Sequence, residues 1–134
     1  MAGRNVSVLI LHNFAGKILL QHRTEDAPRF PGYWGFFGGG IELGETPEQA
    51  LAREAVEELS YRTENPHLLS THKISFQGED YYVHVFVEKY DNQPLVLGEG
   101  QGMEWFSPEE TKELKIVDHE RKIIEEVREY LHTL

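Results

Sequence analysis

A run of three glycines, followed by a segment with clear helix-start residues, is the feature that most constrains the fold of this chain. Residues 38–40 are all glycine, and the segment that follows predicts a helix over about 47–60. Thr46 is a favoured N-cap residue, Pro47 fits the first helical position, and Gln49 completes a capping-box pattern. Consecutive glycines let a backbone approach a ligand closely or adopt positive φ, so this turn is compatible with a ligand site beside the helix.

Three acidic residues share one face of the predicted helix. Glu54, Glu57 and Glu58 fall at spacings of three and four residues, which places them within a narrow arc of a helix. Like charges at these spacings oppose a helix by roughly 0.2–0.5 kcal/mol per pair. Clustered carboxylate oxygens suit hard cations such as Mg²⁺, so the arrangement favours a metal site. A solvated, Glu-rich helix is the alternative interpretation of the helix alone.

Apolar patterning on both sides of this helix predicts the remaining architecture. The predicted strands are 6–11, 17–23, 33–37, 67–77, 81–90 and 103–107, and further helices are predicted after Ser107 and over about 118–132. The order β-β-β-α-β-β-β-α-α is typical of a mixed β-sheet with helices on its faces, in one domain spanning 1–134. The predicted packing face of the central helix consists of Leu51, Ala52, Ala55, Val56 and Leu59.

Composition excludes several classes of protein. The 134 residues carry a formal net charge of −10, which disfavours a surface for duplex nucleic acid. The absence of cysteine excludes disulfides, zinc–thiolate centres and cysteine nucleophiles. No apolar run approaches the roughly 18–20 residues that a membrane span needs, and we expect a cytoplasmic protein. A phosphate-bearing substrate stays compatible with the acidic charge if divalent cations are bound.

The segment 39–61 resembles the Nudix box. That pattern is Gly, five residues, Glu, seven residues, Arg-Glu, an aliphatic residue, any residue, Glu-Glu, any residue, Gly and an aliphatic residue. Its first glycine and all of its charged positions are matched, by Gly39, Glu45, Arg53, Glu54, Glu57 and Glu58. The departures, at Ala55, Ser60 and Tyr61, concern packing and the end of the helix. Ser60 lacks the freedom of glycine at a left-handed C-cap, so we expect it to raise the cost of ending the helix.

The resemblance implies an α/β/α sandwich of the Nudix type and hydrolysis of a pyrophosphate bond in a small-molecule nucleotide. It implies Mg²⁺, or Mn²⁺, held by Glu54, Glu57 and Glu58, with the Gly39 carbonyl as a further ligand. Glu54 would also orient or deprotonate the attacking water. Arg53 and Glu45 would hold the loop and the helix together through a salt bridge.

Similarity to the MutT-like branch of the family extends beyond the box. Arg23, in a segment that resembles the branch's second strand, would contact the nucleotide. Glu99, in the late loop, would ligate metal or act as the base, with Glu104 as the competing candidate. Asp118 falls where relatives read the base edge, although an Asp that caps the last helix is an equal interpretation. Trp34 is equally compatible with stacking on a base and with core packing.

The sequence is compatible with three functions. The first is a metal-dependent pyrophosphohydrolase that acts on a nucleoside triphosphate, in the manner of the MutT-like branch. The second is hydrolysis of a nucleotide sugar or of ADP-ribose. The third is a noncatalytic nucleotide-sensing module on the same fold, which would have no need to keep every carboxylate of the box.

Overall fold

A seven-stranded mixed sheet with one helix on each face forms the structure of residues 4–134, the part of the chain that the computed structural model describes. The strands are β1 (Arg4–His12), β2 (Ile18–His22), β3 (Trp34–Gly35), β4 (Phe37–Gly40), β5 (His67–Phe76), β6 (Glu79–Lys89) and β7 (Gly102–Phe106). The helices are α1 (Pro47–Leu59) and α2 (Asp118–Leu131), with a 3₁₀ turn at Glu110–Glu113. This arrangement confirms the predicted α/β/α sandwich with a mixed sheet.

Strand β1 organises the sheet because it pairs with three other strands. The main strand order is β3-β2-β1-β6-β5, with β4 added on β1 and β7 added on β2. The β1 and β6 strands run parallel, from the pair Arg4 and Tyr81 to the pair His12 and Lys89. All the other pairs are antiparallel, including the two predicted hairpins β1–β2 and β5–β6.

The hydrophobic core is divided by the sheet into two layers, and the period of two along β1 shows the division. Val8 and Ile10 pack on the α2 side, whereas Leu9 and Leu11 pack on the α1 side. The α2 layer also contains Ile18, Leu20, Phe36, Val85, Val87, Ile116, Ile123, Ile124 and Val127. The α1 layer also contains Leu19, Phe37, Leu51, Ala55, Leu59, Tyr61 and Phe86. Phe36 and Phe37 thus serve opposite layers.

Helix α1 begins and ends as its sequence predicts. The Thr46 side chain accepts a hydrogen bond from the Gln49 backbone N–H at 3.1 Å, and the Gln49 side chain accepts one from the Thr46 N–H at 2.9 Å. Ser60 ends the helix in the left-handed conformation, with φ 55° and ψ 31°. Ser60 therefore adopts a conformation that is strained for a non-glycine residue, at the position where the box pattern has glycine.

The predicted packing face of α1 is wrong at Val56, and Ala52 is only half-buried. Val56 is 51% exposed, whereas Glu58 is buried beside Leu51 and Ala55. The reason is a polar contact, because the Glu58 carboxylate accepts a hydrogen bond from the Gly38 N–H at 2.8 Å. Leu51, Ala55 and Leu59 pack this face against the sheet, so Glu58 is buried on it and Val56 lies on the outer side.

The predicted strand 33–37 and the glycine turn after it also need correction. They form two short strands, β3 and β4, and the glycines belong to β4, which pairs antiparallel with β1. Gly38 has φ 151°, and a Cβ there would lie 2.2 Å from the Ser7 carbonyl oxygen. Only glycine fits between β1 and α1 at this point, because any side chain would clash with backbone. The helix predicted after Ser107 is a single 3₁₀ turn.

Candidate functional site

Arg53 and Glu45 join helix α1 to the loop before it. Arg53 Nε and Nη2 donate to the two oxygens of Glu45 at 2.8 and 2.9 Å, and Nη2 also donates to the Gly40 carbonyl at 3.0 Å. The hydrogen bonds from Arg53, followed by one from the Glu42 N–H, lower the pKa of Glu45 to about 2. The two residues form a bidentate salt bridge, as the sequence predicts, and it fixes the loop over the start of the site.

Glu58 is the most deeply buried acid of the box. It is 6% exposed, and burial is the largest cause that raises the pKa of its carboxyl to about 9. A hydrogen bond with the Glu99 side chain and the nearby charge of Glu54 act in the same direction, while the Gly38 N–H opposes them. A carboxyl held against two other acids away from water favours a bound proton or a cation.

Glu99 reaches this cluster from a loop that is anchored at both sides. The Gly98 N–H donates to the Glu58 carbonyl at 2.8 Å, and Gln21 Nε2 donates to the Glu99 carbonyl at 2.8 Å. The Gln101 N–H donates to the backbone of strand β2 at 2.8 Å. The loop therefore presents the Glu99 carboxylate to Glu58. The competing candidate Glu104 lies exposed on β7 and does not join the cluster.

The Glu54 side chain extends from helix α1 toward Gly39 in strand β4. Its side chain is 14% exposed and contacts Arg53 Nη1 at 3.3 Å. Burial raises its pKa, an effect that Arg53 opposes and that Glu57 and Glu99 reinforce. A Cβ on Gly39 would lie 2.5 Å from Glu54 Oε2. The Glu54 carboxylate thus occupies the space that a side chain at position 39 would fill.

Glu57 stands apart from the other acids. Its side chain is 58% exposed, and its Oε1 lies 3.6 Å from Arg53 Nη1. Within residues 4–134, no three His, Asp or Glu side chains already form a group arranged to hold a metal ion. Glu54, Glu58 and Glu99 nevertheless lie close enough to raise one another's pKa, whereas Glu57 lies at the solvent edge of the same helix face.

A cavity of about 320 Å³ lies on the α2 side of the sheet, and Gly38 connects it to the acid cluster on the α1 side. Gly38 lines the cavity and also donates its N–H to Glu58. Arg23, the predicted nucleotide contact, lines the same cavity, and its Nε donates to the Arg29 carbonyl at 2.8 Å. The other lining residues are Val6, Val8, Arg29, Phe30, Phe36, Ile74, Tyr81, Val83, His119, Glu120 and Ile123. This volume and mostly apolar lining are typical of a small-molecule site.

Two predicted substrate contacts are not on the wall of this cavity. Trp34 stacks on the His22 ring, with centroids 4.3 Å apart, and packs edge-on against Phe106 in the α2 layer. Asp118 is exposed at the first position of α2, where Val117 is the N-cap residue and no side chain caps the helix. The interpretation of Asp118 as a helix cap is therefore wrong.

Glu120 is the acid that α2 places in the cavity, and sequence reasoning missed it. Burial raises the pKa of its carboxyl to about 7, against the opposing effects of Arg23 and the Phe36 N–H. A signal was present, because Glu120 precedes Ile123, Ile124 and Val127 by three, four and seven residues. That spacing places an acid on the buried face of an amphipathic helix.

A contact among Ser70, His72 and Glu126 joins β5 to α2 and has the composition of a hydrolase triad. Its geometry differs, because Ser70 Oγ and Glu126 Oε1 both meet His72 at Nε2, at 3.0 and 2.8 Å. A triad places the hydroxyl and the carboxylate on opposite ring nitrogens. This contact therefore lacks the geometry of a Ser-His-acid nucleophile.

Comparison with known proteins adds to these observations. A family model described as NUDIX domain matches residues 1–127. The CTP pyrophosphohydrolase of Escherichia coli (strain K12) is 30% identical over 110 residues, which are 82% of this chain and 81% of that protein. The 8-oxo-dGTP diphosphatase of the same strain is 33% identical over 105 residues, 76% of this chain and 78% of that protein.

Structural comparison finds the same fold over nearly the whole chain. The solution structure of the E. coli ORF135 protein aligns with a TM-score of 0.85 and 27% identity, over 99% of this chain and 94% of that one. In the part of the chain that the structure describes, neither helix has the length and apolar character needed to cross a membrane.

Proposed function

The chain belongs to the NUDIX domain family, and from that premise we propose that this Nudix hydrolase is a metal-dependent pyrophosphohydrolase of nucleoside triphosphates. Membership confirms the family that residues 39–61 predict. The observation that carries the proposal is the convergence of Glu54, Glu58 and Glu99 beside the cavity that Gly38 also lines. One end of the site offers carboxylates for cations and phosphates, and the other offers an apolar volume for a nucleoside.

The residues at the acid cluster fit a divalent cation. Nudix hydrolases use such ions, and clustered carboxylates with space for waters are the donor set that Mg²⁺ prefers. The raised pKa values of Glu54 and Glu58 reflect burial and nearby negative charge, which a cation would compensate. We assign Glu54, Glu57, Glu58, Glu99 and the Gly39 carbonyl as its ligands, with Mg²⁺ as the ion and Mn²⁺ as a substitute.

When bound, the metal would neutralise charge on the pyrophosphate and lower the pKa of a coordinated water. Glu54 or Glu99 accepts the proton of the attacking water, since both carboxylates belong to the cluster that would hold the metal. Arg53 acts indirectly. It donates hydrogen bonds to Glu45 and to the Gly40 carbonyl and so keeps the loop before α1 in place. Arg23 lies at the cavity wall, where its positive charge suits the sugar or phosphates of the nucleotide.

The names of the two E. coli relatives support a triphosphate substrate, because both describe hydrolysis of a nucleoside triphosphate. Hydrolysis of a nucleotide sugar or of ADP-ribose is the second candidate, since the acid cluster serves any pyrophosphate. We infer that the protein acts on free nucleotides in the cytoplasm, and the net charge of −10 argues against a duplex nucleic acid as partner.

The proposal is tested by incubating the protein with Mg²⁺ and a panel of nucleoside triphosphates, nucleotide sugars and ADP-ribose. Chromatography of the products distinguishes the candidates: a nucleoside monophosphate with pyrophosphate identifies triphosphate hydrolysis, and a sugar phosphate identifies the alternative. Binding without turnover of any compound would establish the noncatalytic module instead.

A pair of variants on α1 links the activity to the acid cluster. Glu57→Gln should lower metal-dependent turnover by at least about tenfold, because it removes an expected ligand from the metal-facing side of the helix. Glu48→Gln is the matched control, since Glu48 is an exposed acid in the first turn of the same helix. Full activity of Glu57→Gln would remove Glu57 from the ligand set.

A further inference from the structure

The segment 98–102, which carries Glu99, is bonded to the end of strand β2. The Gln21 side chain donates to the Glu99 carbonyl at 2.8 Å. Gly100 has φ 95°, and a Cβ there would lie 2.8 Å from the His22 carbonyl oxygen, so only glycine lets the segment approach β2 this closely. The backbone that positions Glu99 therefore lies directly against the point where the chain leaves β2.

The Gln101 side chain extends this contact beyond β2 to residues 23–32, which we call the nucleotide loop. Its Nε2 donates to the Arg23 carbonyl at 2.6 Å and to Glu25 Oε2 at 2.8 Å. Its backbone N–H donates to the His22 carbonyl at 2.8 Å. One residue thus joins the segment to the first residues of the nucleotide loop.

The nucleotide loop is closed on itself next to the residues that Gln101 contacts. The Ala27 and Gly32 N–H groups both donate to the Thr24 carbonyl, at 3.2 and 3.0 Å. The Glu25 carboxylate lies against Gly32, where a Cβ would be 2.9 Å from Glu25 Oε1. A restraint on the start of the loop is therefore carried through these contacts to its end. The loop residues on the cavity wall are Arg23, Arg29 and Phe30.

We propose that Gln101 is a positioning residue that couples the metal-binding segment around Glu99 to the nucleotide loop, so that cation binding restrains the loop before a nucleotide binds. This inference rests on the proposed function, because it takes Glu99 as a metal ligand and the loop as a wall of the nucleotide site. A cation that fixes Glu99 also restrains Gln101, two residues along the chain. Its amide then carries the restraint to the Arg23 backbone. Coupling of this kind requires a physical contact between the two sites, and the amide supplies one.

Hydrogen exchange of the loop amides measures this coupling without any nucleotide. The Ala27 and Gly32 N–H groups report on the loop, because each is bonded within it. Exchange is followed by NMR with and without Mg²⁺, and calorimetry verifies that each protein binds the ion. Gln101→Ala removes the amide, and Glu104→Ala is the matched control, since Glu104 is an exposed residue three positions further along.

Mg²⁺ should slow exchange of the two amides by about threefold in the unaltered protein and in Glu104→Ala. In Gln101→Ala, exchange should be about fivefold faster and independent of Mg²⁺, because the loss of ordinary hydrogen bonds changes an equilibrium by about this factor. A purely structural role would loosen the loop and leave its response to Mg²⁺ intact. The inference is overturned by a response that Gln101→Ala retains, or by no response in the unaltered protein.

An exchange of groups between positions 25 and 101 tests the contact itself. Gln101→Glu places a carboxylate against Glu25, and the KM for the nucleoside triphosphate should rise by about tenfold with kcat within about twofold. Glu25→Gln alone should change KM by less than about twofold, since its amide oxygen still accepts from Gln101. Adding Glu25→Gln to Gln101→Glu restores a donor and an acceptor and should recover at least about threefold of the loss. No recovery, or a fall in kcat alone, contradicts the assignment.

The exchange measurement also separates this inference from the proposed function. If no triphosphate is hydrolysed but Mg²⁺ slows the loop amides through Gln101, the coupling stands and the catalytic proposal fails. If triphosphates are hydrolysed and the loop amides ignore Mg²⁺, the catalytic proposal stands and the coupling fails. Absence of both Mg²⁺ binding and turnover rejects both.

Discussion

Replacement of Glu58 by glutamine should stabilise the metal-free protein while it removes a metal ligand. Glu58 is 6% exposed, and its pKa is raised from 4.5 to about 9 by burial, by Glu99 and by Glu54. At pH 7 the unfolded chain carries this carboxylate ionised, whereas the metal-free fold must bind a proton to it. With 1.36 kcal/mol per pKa unit, the 2.5 units between 4.5 and pH 7 cost the fold about 3 kcal/mol.

The direction of the pH dependence follows from the raised pKa. The fold bears no penalty from Glu58 below pH 4.5, and its stability falls as the pH rises toward about 9. Glu58→Gln keeps an acceptor for the Gly38 N–H and has no charge to titrate. The variant should therefore gain about 3 kcal/mol at pH 7 and almost nothing at pH 4.5.

Urea denaturation in EDTA at pH 5, 6, 7 and 8 measures both quantities. The unaltered protein should lose up to about 1.4 kcal/mol of unfolding free energy per pH unit relative to Glu58→Gln. Addition of Mg²⁺ should stabilise the unaltered protein and have little effect on the variant. The reasoning would be refuted if Glu58→Gln were no more stable than the unaltered protein at pH 7. It would also be refuted if the difference in unfolding free energy between the two did not change with pH.

Three further substitutions test the site and its frame. Gly39→Ala should lower kcat/KM by about a hundredfold without unfolding the protein, because the new Cβ would displace the Glu54 carboxylate 2.5 Å away, while Gly40→Ala, with nothing within 4 Å, should change little in the same assay. Ser60→Gly should raise the unfolding free energy by about 1 kcal/mol in urea, since glycine adopts φ 55° without strain; an unchanged or lower value would contradict this. Tyr61→Phe should lower it by about 2 kcal/mol, because a buried hydroxyl that donates to Glu88 at 2.8 Å is lost; a loss below 0.5 kcal/mol would mean that the bond adds little.

Helix α1 could be predicted from local sequence signals. Features that depend on long-range contacts could not. The bounds of α1 follow from Thr46 and Pro47, which act within a few residues. The burial of Glu58 could not be predicted in the same way, because its carboxylate is paired with the N–H of Gly38, twenty residues away in the chain. The split of 33–37 into two strands likewise depends on pairing of β4 with β1.

The candidate site shows the same limit. The acids of α1 and the Arg53–Glu45 bridge were predicted from the box, and Glu99 from the similarity of the late loop. The position of Glu120 in the cavity was not predicted, because the resemblance directed attention to Asp118 two residues earlier. The apolar spacing of α2 does indicate Glu120, since Ile123 and Val127 share its face.

The central claim is that the carboxylates gathered at α1 hold the divalent cation on which hydrolysis depends. Titration with Mn²⁺, followed by electron paramagnetic resonance, measures binding in the same samples whose release of pyrophosphate from nucleoside triphosphates is assayed. We predict that turnover rises with Mn²⁺ occupancy, and that Glu54→Gln weakens both binding and turnover by at least about tenfold. Equal hydrolysis in EDTA, or Mn²⁺ binding and turnover that Glu54→Gln leaves unchanged, would contradict the claim.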